Sequence, residues 1–367
     1  VGDPVEAAIK AADKGLFSQG LACAKAADAV SGKSALEQHK INETYGFIYL
    51  KQRNYAAAAT AYERSLTSGQ LPANKVNDRV KQLAQLNFQA PRNLNKVIEY
   101  STRYLQATGG RDAAMQAMLG QAYQMSGNDK AAVTSVQNAI RVAGKPEENW
   151  LRILLKSYGN LNDTKGVNDT TQTLVRLYPT QDNWRLLSSE LRRQASGDDR
   201  TALNVYRLMG QLDLMDTPKI YGEAAIVAIQ SGLPAEAVTI MERGYANKAF
   251  DSKDERSQRI LADARKKAAA QQPLLGQLTQ TATSSTAGRD EVLLGEVLLS
   301  YGHVDKAVAA SKRAIQKGAD PDEVWMLVGR CQLQLKNGAE ARKAFAQVKG
   351  EDAAPVAKLW GIYASRI

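Results

Sequence analysis

The sequence predicts an all-α chain built as an array of helical hairpins, and three observations predict it. The apolar share is dominated by alanine and leucine rather than by the β-branched residues that favour strands, with only 6% aromatic residues. The stretch MLGQAYQMSGNDKAAVTSVQNAI, residues 118–140, reads as two short helices pinned at Gly127, with small residues where they would touch. Landmarks also recur at one interval: Gly295 and Gly329, Ala307 and Ala341, and Trp150 and Trp184 are each 34 residues apart. Such a period marks stacked helical units, and about ten of them, followed by a C-terminal capping helix, fill the chain.

Counted from Ala113 as the first place of a unit, Leu119, Gly120, Tyr123, Gly127, Ala132 and Ala139 take places seven, eight, eleven, fifteen, twenty and twenty-seven. The other units follow from this template in order along the chain. Gly20, Ala24 and Ala27 fit it loosely, while Gly46, Tyr49, Tyr55, Ala58 and Tyr62 fit it well. Residues 75–110 depart from it, because Pro91 in FQAPRNLNKVIEY lengthens the turn. Ala225, Gly232, Ala237 and Gly244 supply another unit. Residues 251–287 lack the small-residue landmarks, and TQTATSSTAGRD at 279–290 reads as a helix end plus polar linker. Gly295, Gly302, Ala307 and Ala314 restore the pattern, and Trp325, Gly329, Ala341 and Phe345 carry its last unit. The expected organisation is thus repeats over 1–250, an irregular helical segment and linker over 251–287, two further repeats over 288–350, and a cap helix over 351–367 with Trp360 turned inward. Small residues at places eight and twenty let two helices approach closely, and aromatics at four, eleven, seventeen and twenty-four fill the space between pairs.

These landmarks resemble the tetratricopeptide repeat. The resemblance implies a right-handed α-solenoid superhelix whose groove is lined by the first helix of each unit, at places two, five, nine, twelve and thirteen. Those places carry Lys40, Glu43 and Lys51, then Gln121 and Gln124, and, with Trp184 at place four, Arg185, Arg192 and Arg193. Arg152 and Lys156 fall one place beyond the groove positions. The groove would be glutamine-lined and then basic, and guanidinium forks suit carboxylates and phosphates. The Lys/Asn set with which chaperone-binding members clamp a terminal carboxylate is absent.

YPTQDNWRLLSSELRRQ, SGLPAEAVTIMERGYANKAF and the ending ARKAFAQVKGEDAAPVAKLWGIYASR also resemble exported proteobacterial tetratricopeptide proteins, some associated with TonB systems. This resemblance implies a periplasmic, non-enzymatic adaptor of TonB-dependent uptake, binding an acidic or extended protein segment, with envelope transport or TonB-complex components as partners. The start at Val1 without an initiator Met fits removal of an export signal and fits a trimmed chain equally.

The remaining chemistry is sparse. A net charge of +10 favours acidic partners, so a binding protein for anionic glycan or cell-wall polymer is the alternative reading. The densest basic run, ARKKAAA at 264–270, is flanked by Asp254, Glu255 and Asp263 and reads as a solvated helix face; no nucleic-acid motif is present. Two cysteines, Cys23 and Cys331, exclude a disulfide framework and are expected to be buried thiols. SGKS at 31–34 lacks the earlier glycine of a phosphate loop and reads as an interhelical turn. His39 and His303 have no partner at metal-ligand spacing, and no serine or cysteine has a base at a recognisable spacing. No metal, cofactor or catalytic residue is therefore expected, and no apolar run approaches the roughly 18–20 residues of a membrane span.

Overall fold

The computed structural model describes residues 2–89, 91–194, 198–251 and 253–367; the side chains of Arg193 and Gln194 also lie outside the described set. The described residues are helical or in turns, and they form an all-α solenoid that divides into two units, 1–170 and 171–367.

The first unit begins with α1 (Gly2–Asp13) and α2 (Phe17–Ala29), then α3 (Ala35–Lys51) and α4 (Tyr55–Thr67). It continues through α5 (Ala73–Phe88) and α6 (Leu94–Ala107), then α7 (Ala113–Met125) and α8 (Asp129–Ala143). α9 (Glu148–Asn160) and α10 (Thr164–Leu177) follow, and the division between the units falls within α10. The second unit continues with α11 (Gln181–Gln194), α12 (Asp199–Gln211), α13 (Pro218–Gln230) and α14 (Pro234–Ala246). α15 (Glu255–Gln271) runs through a 3-10 turn, Gln272–Leu274, into α16 (Leu275–Ser284). Because Pro273 sits in that turn, residues 255–284 form a bent helical stretch where other units have a hairpin. The chain ends with α17 (Gly288–Ser300), α18 (Val304–Gln316), α19 (Pro321–Gln334), α20 (Gly338–Phe345) and α21 (Ala353–Ala364).

The landmarks do what their sizes allow. A Cβ on Gly120 would stand 2.5 Å from Val136 and 3.2 Å from the Ala132 carbonyl, so α7 and α8 touch only because place eight carries no side chain. At Gly46 and Gly329 the space is taken by the rings of Tyr62 and Phe345, both at place twenty-four, and at Gly295 by Leu327 of the next helix pair. The alanines at place twenty, among them Ala58, Ala132, Ala237, Ala307 and Ala341, are fully buried.

The turn within each pair is also specified locally. Place fifteen takes a left-handed backbone, at Gly127 (φ +81°), Gly232 and Gly302, but also at Arg53 (φ +59°) and Lys336 (φ +57°). Asn54, Asn128 and Asn337 at place sixteen then cap the second helix, each accepting a hydrogen bond from the third helical amide. SGKS connects one pair to the next: Gly32 is left-handed, and Ser34 and Glu37 form a capping box that starts α3.

Cys331 is fully buried, and burial pushes its thiol up to about 11, whereas Cys23 is half-buried, correcting the expectation that both thiols are enclosed. The basic run of α15 is exposed, with Lys267 paired to Asp263 and Arg265 to Glu242. No helix among the described residues is long and apolar enough to cross a membrane.

Two substitutions test this packing. Gly120→Leu drives a side chain into Val136 and should lower stability by about 1–3 kcal/mol. Arg53→Gly relieves a left-handed non-glycine residue and should raise it by up to about 1 kcal/mol. Urea unfolding of each variant beside the parent measures both.

Candidate interaction site

Within each unit the first helices of successive pairs touch: α1 with α3 and α7 with α9 in the first unit, α13 with α15 and α17 with α19 in the second. In the first unit this contact sets the groove positions of α7 beside those of α9.

In the first unit, Gln121 and Gln124 lie half-buried on α7, and their side-chain amides make no hydrogen bond to the chain among the described residues. On the neighbouring α9, Arg152 and Lys156 are exposed, with Arg152 paired to Glu148 at 2.9 Å. Lys51, at the end of α3, is 3.4 Å from Asp13 and lies over the Phe47 ring, and Lys40 is exposed. Glu43 is tied down: Arg79 of α5 donates to it at 2.6 Å while stacking 3.8 Å over Tyr62.

The structure also assembles a group that sequence spacing does not reveal. Ser65 Oγ contacts Glu43 and lies 3.1 Å from His39 Nδ1. It is not a nucleophile arrangement, since the acid engages the serine rather than the histidine, and Ser65 is fully buried. It joins α3 to α4. His303 stands in the turn before α18, as its spacing predicts.

In the second unit, Arg185 of α11 is exposed and sits 3.9 Å from Asp182 and 3.8 Å from Asp216. Arg192 is half-buried with its guanidinium 6.0 Å from the Tyr206 ring centroid, and the Arg193 side chain is outside the described set.

The groove of the last two regular pairs holds a different construction. Glu296 of α17 and Arg330 of α19 both occupy place nine, and Arg330 Nη1 donates to both Glu296 oxygens at 2.6 and 2.7 Å. Glu296 also accepts from Arg207 Nη2 at 2.8 Å. Arg207 belongs to α12, and its Nε and Nη2 make a bidentate pair with Glu236 of α14 at 2.6 and 2.7 Å. Four helices thus meet at four charges that sum to zero, with Arg207 only 9% exposed. Around this centre Arg200 of α12 pairs with Glu323 of α19, and Tyr206 donates to Glu223 at 2.9 Å. From the other side, Trp360 of α21 stacks on Phe345 and donates its Nε1 to the Asn204 carbonyl at 3.2 Å. Helix α12 therefore runs along the groove and α21 closes over it.

The quartet divides what remains of that groove into two cavities, and Arg207 lines both. One, of about 580 Å³, has Arg207, Arg243, Arg330 and Lys336 against a single carboxylate side chain, Glu236. The other, of about 590 Å³, has eight carboxylates against the guanidiniums of Arg200, Arg207 and Arg289. Titration behaviour follows from this geometry. Burial alone would raise the pKa of Glu296, but Arg207 and Arg330 outweigh burial and hold it at about 2. Burial likewise opposes the charge on Arg207, and its two carboxylates more than compensate. Tyr206 is pushed up to about 12 by burial and by its bond to Glu223.

No family model matches the chain, and no curated protein matches it. Among solved structures it is similar to a tetratricopeptide repeat protein from Parabacteroides merdae, at 9% identity and a TM-score of 0.34 over 90% of this chain and 99% of that one. It is similar to the apo form of RapI at 11% identity and a TM-score of 0.30, covering 85% of this chain and 97% of that one. It is also similar to yeast Tom70 at 10% identity and a TM-score of 0.28, where 96% of this chain spans 60% of that one. The repeat assignment stands on this chain's own 34-residue period and on the close approach at Gly46, Gly120, Gly295 and Gly329.

Glu296→Gln should lower stability by about 3 kcal/mol at neutral pH, because two buried guanidiniums lose a carboxylate. The folded pKa of Glu296, about 2, lies below the roughly 4.3 of an unfolded glutamate, so its contribution is complete above the unfolded value and lost as pH falls towards 2. The difference between parent and variant should shrink as pH drops below about 4. Urea midpoints across that range check both statements.

Proposed function

We propose that this chain is a protein–protein interaction adaptor of the cell envelope, an accessory of a TonB-dependent uptake system that holds an acidic or extended protein segment on the face of α3, α7 and α9. One observation carries the choice of face: the side-chain amides of Gln121 and Gln124 are half-buried and make no hydrogen bond to the chain among the described residues, whereas α12 lies in the groove of the second unit. A partly enclosed primary amide offers two donors and an acceptor, the complement of a peptide backbone in extended form. Lys51, Arg152 and Lys156 on the same unit add positive charge, which suits an acidic segment. Arg185 and Arg192, with Arg193 beside them in sequence, provide a second cationic surface on α11. The envelope and TonB setting is supported by the resemblance of three C-terminal stretches to exported proteobacterial proteins.

Cross-linked capture from a native envelope fraction tests the reading, with Gln124→Glu/Lys156→Glu and Arg185→Glu/Arg192→Glu/Arg193→Glu as comparison variants. A transport or TonB-complex component retained by the parent and lost from the first variant is the expected result. Loss from the second variant alone would move the site to α11. Retention by both would reject both faces, and capture of anionic cell-wall glycan with no protein would replace the adaptor with a glycan-binding protein.

A further inference from the structure

We infer that the cavity enclosed by α12, α14, α17, α19 and α21 is a binding site for a small apolar carboxylate. The site lies wholly in the second unit, and it stands whether or not the face of α7 and α9 takes a protein partner.

Size and lining come first. About 580 Å³ is within the range of small-molecule pockets. Met215, Ile240, Leu299 and Leu333 provide aliphatic wall, and Trp360 and Tyr363 provide aromatic wall, so the body of the ligand is apolar.

The charged end is defined by Arg330. Its side chain is only 10% exposed, and it reaches Glu296 through Nη1 alone. Nε and Nη2 make no hydrogen bond among the described residues, yet neither is sealed from solvent. That pair of nitrogens is the edge with which Arg207 grips Glu236 in the same groove. A carboxylate matches it bidentately. Arg330 lines this cavity and not the acidic one, so the free edge opens onto the apolar walls. Lys336 adds an exposed ammonium at the mouth with no ion pair among the described residues, while Arg243 is engaged by Asp213 at 2.6 Å.

The same lining sets the charge of the ligand. Glu236 also faces the cavity and takes the Nε and Nη2 edge of Arg207, while Nη2 of Arg243 is held by Asp213, so Arg330 alone among the three guanidiniums keeps that edge whole. A monoanion fits where a phosphate monoester would meet a carboxylate. An apolar cation finds Arg330 and Lys336 in its way.

The test is calorimetric titration of the full chain with 2-naphthoate and with its neutral counterpart 2-naphthalenemethanol. The acid should bind at a single site and the alcohol about ten-fold or more weakly, the expected worth of charge-assisted hydrogen bonds in a partly buried site. Arg330→Gln should reduce binding of the acid by a similar factor. Ile240→Trp fills the apolar wall while leaving all four charged residues of the quartet unsubstituted and should abolish binding, so it decides the matter if Arg330→Gln fails to fold. Absence of acid binding, equal binding of acid and alcohol, or undiminished binding in Ile240→Trp would overturn the site.

Discussion

Everything in this molecule depends on how closely two helices can approach. The pairs pack through positions that carry no side chain or only a methyl group, and larger side chains enter from elsewhere to fill the space they leave. Tyr62 against Gly46 and Phe345 against Gly329 are the same solution in the two units. A helix pair made this way cannot bury its own apolar face, so each must stack on the next, and stacking is what makes a continuous groove. The groove is a consequence of the packing rule, not a separate device.

In the second unit that consequence has been turned inward. Helix α12 lies along the groove, where Leu203, Val205, Leu208 and Met209 are buried in the core and Arg207 joins the ion quartet. Isolated buried charges would be costly, but each guanidinium of the quartet has a carboxylate at hydrogen-bond distance, and the sum is neutral. Such a centre specifies geometry strongly, because shifting α12 by one helical turn would separate Arg207 from both glutamates. It also splits the remaining space by sign: cationic side chains dominate one side and carboxylates the other.

Much of the fold was readable from the residues. The period, the small residues at places eight and twenty, the turn at place fifteen and the inward Trp360 follow from spacing and side-chain size alone. Part of the second groove was readable as well. Glu296 and Arg330 stand 34 residues apart at place nine of successive units, so the groove rule that points to Gln121 also points to them. Arg207 and Glu236 carry no such signal. They sit on the second helices of their pairs, which the rule assigns to the outside, and they meet Glu296 only because α12 lies along the groove. The same limit hides His39, Ser65 and Glu43, whose meeting depends on the packing of α3 on α4.

The bond from Trp360 to Asn204 joins residues 156 positions apart. An open helical array grows by adding neighbours, and any part of it can serve as a start. A unit that closes through its last helix has a different kinetic character, since α12 reaches its full set of contacts only when α21 arrives, and long-range closure of this kind slows folding. During synthesis the repeats between them would stack with α12 still lacking its final cover. The second unit thus gains all-or-none cooperativity that a simple solenoid of the same length would not possess.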